Sequence, residues 1–299
     1  RYRASAAKLR NFATMMSGVT DSKKYFEFWR QVADSGWFDV EHLMETKPSY
    51  CMMSLENNDH YPTHLFLYAK MGIHNYNMIH GTNLELYCLD KYVDIPKVFY
   101  RYYYITLVTK DPAGGGSLAL FQTCVVEERC DLKKLIWDIA RPKPEPPEDP
   151  MQSLNIYRGR VDHSKEVRLP DEWPSENVFT DNNRYYMVKK SELLKYDWIR
   201  LYLKLAFLNA NTELKNPALS KLVIVRVVVE SQEKVEMPNE KLKSRNAIFY
   251  IRYKYHPNKG GVCKVHGFKP PRDRMAMVRR TTDENTGLYT LTMLDSAKA

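Results

Sequence analysis

The sequence predicts an α+β protein built as two repeats, each an antiparallel sheet wrapped around one helix. Three observations carry this. Tyr68, Lys70, Asn75 and Asn77 recur 134 residues later as Tyr202, Lys204, Asn209 and Asn211. The same order of helix, strand, strand, turn and strand follows both copies. Between them lies ARPKPEPPEDP at 140–150, whose five prolines among charges resist helix and sheet and read as an extended linker.

Taken in order, residues 1–20 form a basic tail, with Arg1, Arg3, Lys8 and Arg10 and no acid before Asp21. That is the style of an organellar transit peptide, and equally of a frayed basic terminus. Residues 21–35 read as a short amphipathic helix carrying Tyr25, Phe28, Trp29 and Val32 on one side. Leu65, Ala69, Gly72 and Tyr76 then mark one helical stripe, and Ile199, Leu203, Ala206 and Ala210 mark its counterpart. Thr63 and Asp197 are the expected N-caps, His80-Gly81 and Asn216-Pro217 the expected ends. Strand-like NLELYCLDKYV (83–93) corresponds to KLVIVRVVVES (221–231). YYYITLVTKDPAGGG (102–116) corresponds to IFYIRYKYHPNKGG (248–261), both ending at Pro- and Gly-containing turns. Their hairpin partners are expected at 117–128 and 262–268. A strand at 184–190 and a final hairpin from 274–282 and 287–295 complete the pattern, and 151–183 reads as irregular. The division expected is a tail (1–20), a first domain (21–141), a linker and irregular segment (142–183) and a second domain (184–299).

Gly72 sits inside a helix, where it costs about 1 kcal/mol against alanine. A helix lying across a curved sheet must approach it closely at its midpoint, and a small residue there permits that approach. Gly72 and Ala206 are the residues expected at these helix–sheet contacts.

Apolar residues make up 44% of the 299, enough for a sizeable core. The most apolar run, LVIVRVVV at 222–229, is broken by Arg226 and is too short for a membrane helix. Five cysteines, Cys51, Cys88, Cys124, Cys130 and Cys263, are odd in number and irregular in spacing, which argues against a disulfide framework. With no Asn-x-Ser/Thr acceptor present, they point to a reducing interior, cytosolic or nuclear, or mitochondrial if the basic tail is a transit remnant.

No phosphate-binding glycine motif, His-Glu-x-x-His or Cys-x-x-Cys occurs, and Gly114-Gly115-Gly116 reads as a turn. Cys263 and His266 fall on opposite faces of an expected strand, and His74 and His80 stand apart around a helix. Cys124 and Cys130 have no base beside them in sequence. No catalytic residue, metal site or cofactor is expected.

Charge is the remaining signal. The net charge is +9, and 241–282 holds twelve Lys or Arg and one acid, Asp273. Period-two alternation puts Phe249, Ile251, Tyr253 and Tyr255 on one side, under the second helix, and Tyr250, Arg252, Lys254 and His256 on the other. Arg252, Lys254, Lys259, Lys264, His266, Lys269, Arg272, Arg274, Arg279 and Arg280 are therefore the candidate binding surface. Interleaved aromatics and cations suit RNA or single-stranded nucleic acid, or an acidic protein surface. The expected role is a non-enzymatic interaction or scaffolding module for a protein partner or larger assembly, with nucleic-acid binding as the alternative.

The helix residues Tyr68-Ala69-Lys70-Met71-Gly72-Ile73, followed by Tyr76-Asn77, resemble the helix signature of plant cystatins, and the strands after them resemble the cystatin strand pair. HNYNMIHGTNLELY and YYITLVTKDPA resemble more specifically a plant-restricted, crucifer-abundant family with a cystatin/monellin-like fold that includes an embryo-defective member. The likeness spans roughly residues 16–295. It implies two cystatin/monellin-like repeats and assigns no biochemical activity. Cystatins block proteases with a Gln-x-Val-x-Gly loop and a Pro-Trp loop. The corresponding segments here, 94–101, 127–132, 233–245 and Lys269-Pro270-Pro271, carry neither, so protease inhibition is not expected.

Overall fold

The structure is a computed structural model describing residues 22–57, 60–128, 133–144, 169–212, 214, 218–255, 272–283 and 286–295. Helix α1 (Ser22–Asp34) is followed by strand β1 (Ser54–Glu56), helix α2 (Thr63–His80) and strands β2 (Glu85–Pro96), β3 (Tyr100–Asp111), β4 (Ser117–Glu128) and β5 (Lys134–Pro142). The second half runs in the same order. Strand β6 (Tyr185–Met187) leads into helices α3 (Lys190–Lys195) and α4 (Trp198–Ala210), then β7 (Leu222–Glu230), β8 (Ala247–Tyr255), β9 (Arg272–Thr282) and β10 (Tyr289–Asp295).

These strands form one antiparallel sheet of ten, ordered β1-β2-β3-β4-β5-β10-β9-β8-β7-β6. The last strand of each half meets the other at the centre, Tyr289 opposite Trp137 and Leu291 opposite Leu135. Two repeats, each a sheet around one helix, present exposed strand edges that permit pairing between the halves. Here β5 and β10 make that pairing and satisfy each other's edge hydrogen bonds. Both long helices lie on one face of this sheet and pack on each other, so Ile105, Phe121 and Trp137 share a core with Phe249, Val278 and Leu291. This is why the helices bury more than one stripe. Leu67, Met71 and Ile73 of α2, and Leu201, Leu205 and Phe207 of α4, are buried as well.

Local chemistry sets the element ends. Thr63 is the first helical residue rather than the cap of α2, and Pro62 precedes it with extended ψ. Gly81 ends the helix at φ 67°, its amide donating to the Asn77 carbonyl at 2.9 Å. Asp197 makes no side-chain cap for α4. The β3–β4 turn uses Gly115 and Gly116 at φ 71° and 80°, a region open to glycine, and the Gly116 amide donates to the Asp111 carbonyl at 2.8 Å.

Two segment assignments need correction. Residues 140–142, read as the start of the Pro-rich stretch, belong to β5, with Arg141 opposite Gln122 and Pro142 opposite Phe121. Proline is tolerated there because it stands at the strand end. The partner of β8 is β9, with Phe249 opposite Val278. Residues 262–268, expected in that role, lie outside the described residues, as do the basic tail, Asn216-Pro217 and most of 151–183. The described part of that last segment, from Leu169, is a cover. Leu169, Trp173 and Phe179 pack with Tyr185, Tyr250 and Met277 on the sheet face away from the helices. In the first half α1 plays that part, placing Phe28 and Val32, with Trp37 and Phe38 behind it, over Tyr104, Cys124 and Ile136.

Candidate functional site

Alternation along β8 runs as its sequence suggests. Phe249, Ile251 and Tyr253 enter the helix-side core, while Arg252 is exposed and Lys254 half-buried on the opposite face. There Arg252 Nη2 donates to Asp273 Oδ2 at 2.9 Å, and Lys254 Nζ stands 3.9 Å from Asp273 Oδ1. One carboxylate thus serves two cations, leaving a partial positive charge. Tyr250 is no stacking platform. Trp173 and Phe179 cover it, and its hydroxyl donates to Glu230 Oε2 at 2.5 Å.

Among the described residues, the candidate cations do not form one surface. On β9, residues 274, 276, 278 and 280 face the helices while 273, 275, 277 and 279 face away, a consequence of the two-residue strand period. Arg274 leans over the Phe207 ring and donates to Asn211 Oδ1 at 3.2 Å, with Asp295 Oδ1 at 4.0 Å from its Nε. Arg279 is half-buried on the far face, where burial pulls its guanidinium below the ordinary value against the pull of Glu230 and Tyr250. Arg272 lies in β9, opposite Tyr255. Lys259, Lys264, His266 and Lys269, with Cys263 and His256, lie outside the described residues.

Arg280, expected on the surface, is fully buried. It is sandwiched near Trp198 and Phe249, 5.5 and 5.1 Å from their ring centres. Its Nη2 donates to the Leu242 carbonyl at 2.8 Å and to the Ser244 carbonyl, and its Nη1 to Tyr202 Oη at 3.3 Å. Tyr202 Oη in turn meets Tyr289 Oη at 2.5 Å. Among the described residues no carboxylate pairs with Arg280. Burial opposes its charge, while the two tyrosines and, at longer range, Glu233 favour it, and the net shift is upward. A guanidinium in this position remains protonated.

Gly72 and Ala206 both point inward. A Cβ on Gly72 would stand 2.4 Å from Thr123 Oγ1 and 2.9 Å from Thr123 Cβ. That hydroxyl is already committed, donating to the Ile139 carbonyl at 2.8 Å. Ala206 is 1% exposed in the shared core. Trp137 fastens the same helix from below, its indole donating to the Tyr68 carbonyl at 3.0 Å.

Where the C-terminal end of α2, the start of α4, the loop at 242–245 and the β9–β10 turn converge, they enclose a cavity of about 540 Å³. His74 lines it, stacked on Trp198 at 5.0 Å. Burial, aided by the charge of Arg280, lowers the His74 pKa to about 3. A histidine held neutral in the fold but free to protonate near 6.5 when unfolded stabilises the protein fully above pH 6.5, and that contribution is lost as pH falls towards 3. Asp138, raised to about 6 by burial, acts in the opposite sense. A His74→Gln variant isolates the histidine. Between pH 7 and 5.5 it is expected to lose roughly 1 kcal/mol less stability than the parent, read by urea denaturation at each pH.

Among the described residues no group of three or more His, Cys, Asp or Glu gathers to hold a metal. Cys51 and Cys124 are buried with thiols pushed up by burial, and Cys88 is exposed. No described helix is long and apolar enough to cross a membrane.

Comparison with known proteins places this architecture. A family model described as Protein MS5 matches residues 169–291. The crystal structure of MS5 from Brassica napus superposes with a TM-score of 0.63 at 33% identity, covering 79% of this chain and 99% of that one. The UPF0725 protein EMB2204 of Arabidopsis thaliana is 36% identical over 75% of this chain and 64% of its own length. UPF0725 protein At4g17990 of the same plant is 39% identical over 278 residues, 91% of this chain and 95% of that protein. The chain therefore belongs to the UPF0725 family of plant proteins, to which the MS5 fold is related.

Proposed function

We propose that this chain is a non-enzymatic interaction module that docks a protein partner on the second half of its sheet, on the face away from the helices. One observation carries the reading. Beyond the cover formed by Trp173 and Phe179, Val223, Val225, Met275 and Leu294 remain 49%, 46%, 36% and 39% exposed beside Arg252 and Lys254. Apolar side chains interleaved with under-neutralised cations suit a partner that offers apolar contacts and carboxylates. Burial of Tyr250 removes the aromatic member that single-stranded nucleic acid would stack on, which favours protein over nucleic acid. Cys51, Cys88 and Cys124, free among the described residues, fit an intracellular setting.

The test compares the parent with Val223→Asp and Met275→Glu in affinity purification from plant tissue, with and without nuclease. Partners retained by the parent, insensitive to nuclease and reduced at least fivefold by either variant, support the reading. Nuclease-sensitive recovery, or salt-dependent retention on a nucleic-acid column, transfers the function to nucleic acid.

The finer architecture belongs to the same proposal. Each half sets one long helix across four antiparallel strands after a short edge strand, which supports two cystatin/monellin-like repeats over 21–141 and 184–299.

A further inference from the structure

We propose that the cavity between the two long helices is a binding site for a small organic anion with a flat apolar body. It goes beyond the docking surface, which lies on the opposite side of the sheet. Its volume, about 540 Å³, falls in the range of small-molecule sites. Charge is the first argument. Arg280 is a buried cation directly behind the cavity wall, bonded to the carbonyls of Leu242 and Ser244, and no described carboxylate neutralises it. In a low-dielectric interior such a charge projects strongly into adjoining space. Lys243 and Arg245, both exposed, also line the cavity, and among the described lining residues Asp283 is the one acid.

Shape and unused polar atoms supply the second argument. Trp198 and His74 stack into one planar wall. Met78 and Ile79, at the end of α2, stay 37% and 54% exposed at the lining although helix ends offer easy alternatives. Two lining residues keep buried atoms without a partner, His74 Nε2 and Asn75 Oδ1, and Ser244 Oγ next to the lining residue Lys243 is likewise unpaired. Buried polar atoms are ordinarily satisfied, so three together beside a cavity mark a place where a ligand's polar groups complete the bonding. Neutral imidazole suits this role, because it accepts or donates a hydrogen bond without opposing the nearby cation.

The probe is 8-anilinonaphthalene-1-sulfonate, an aromatic organic anion, with uncharged N-phenyl-1-naphthylamine as its control. The full chain is expected to bind the sulfonate with one-to-one stoichiometry, and the neutral probe at least fivefold more weakly. Lys243→Glu with Arg245→Glu, both exposed and outside the core, is expected to weaken the sulfonate at least tenfold and leave the neutral probe within twofold. Ile79→Trp, filling the mouth, should reduce both. Phe26→Ser, an exposed position on α1 across the sheet from the cavity, should change neither. Equal binding of the two probes, absence of sulfonate binding, or binding insensitive to both the charge reversals and Ile79→Trp overturns the proposal. Circular dichroism of each variant verifies that the fold is intact, and a variant that unfolds is replaced by Lys243→Gln with Arg245→Gln, held to the same outcomes at threefold.

Discussion

Arg280→Ala is expected to destabilise the protein by about 4 kcal/mol. Two costs add. Truncation leaves a void between Trp198, Phe249 and Tyr202, where a large side chain now packs. It also strips the carbonyls of Leu242 and Ser244 of a charged donor in a buried setting, roughly 1–3 kcal/mol for each that stays unsatisfied. Relief of an unpaired buried charge offsets part of this. Arg280→Met keeps most of the volume and should therefore fall nearer 2 kcal/mol, so the difference between the two measures packing against hydrogen bonding. Arg280→Lys keeps the charge but cannot fork to both carbonyls while lying between two rings. Thermal and urea denaturation of the three variants checks the order Ala, then Lys, then Met, and a loss below 1 kcal/mol for alanine would show that Arg280 does not hold the 242–244 loop.

Gly72→Ala should lower stability by about 2–3 kcal/mol, reversing the sign that helix propensity alone gives. On an open helix the change gains about 1 kcal/mol. Here the new methyl meets Thr123 Oγ1 at 2.4 Å and Thr123 Cβ at 2.9 Å. Thr123 cannot simply rotate away, because its hydroxyl bonds the Ile139 carbonyl and holds β4 to β5. Adding Thr123→Ala removes the closest contact and should restore more than 1 kcal/mol in a double-mutant cycle, whereas additivity would show that the helix and strand are not in contact there. Ala206→Gly, at the matching place in α4, should lose only about 1 kcal/mol.

Much of the local structure was legible because its signals are short-range. The stripes Leu65–Ala69–Gly72–Tyr76 and Ile199–Leu203–Ala206–Ala210 give the two helices, and Pro112-Ala113 followed by three glycines gives the β3–β4 turn. Strand β5 escaped because Leu135, Ile136 and Trp137 are all buried, the strand being covered on both faces, so alternation vanishes and the Pro-rich stretch beside it dominates. Open strand edges permit the halves to join, but that β5 and β10 are the edges depends on which remain open in three dimensions, and no residue announces it. Arg280 was misplaced because an arginine reads as surface. Its own strand held the contrary signal, since Ala276, Val278 and Arg280 share a face with the core. The cavity draws on four segments up to about 200 residues apart, from His74 to Gly287, and has no local pattern at all.

Calorimetric unfolding of the whole chain tests the central claim, that the two halves share a single sheet and a single core. One transition is predicted, with the calorimetric enthalpy equal to the van 't Hoff enthalpy, because opening the β5–β10 seam would bare Trp137, Tyr289 and the contact between the long helices. Two resolved transitions, each carrying about half of the enthalpy, would contradict it.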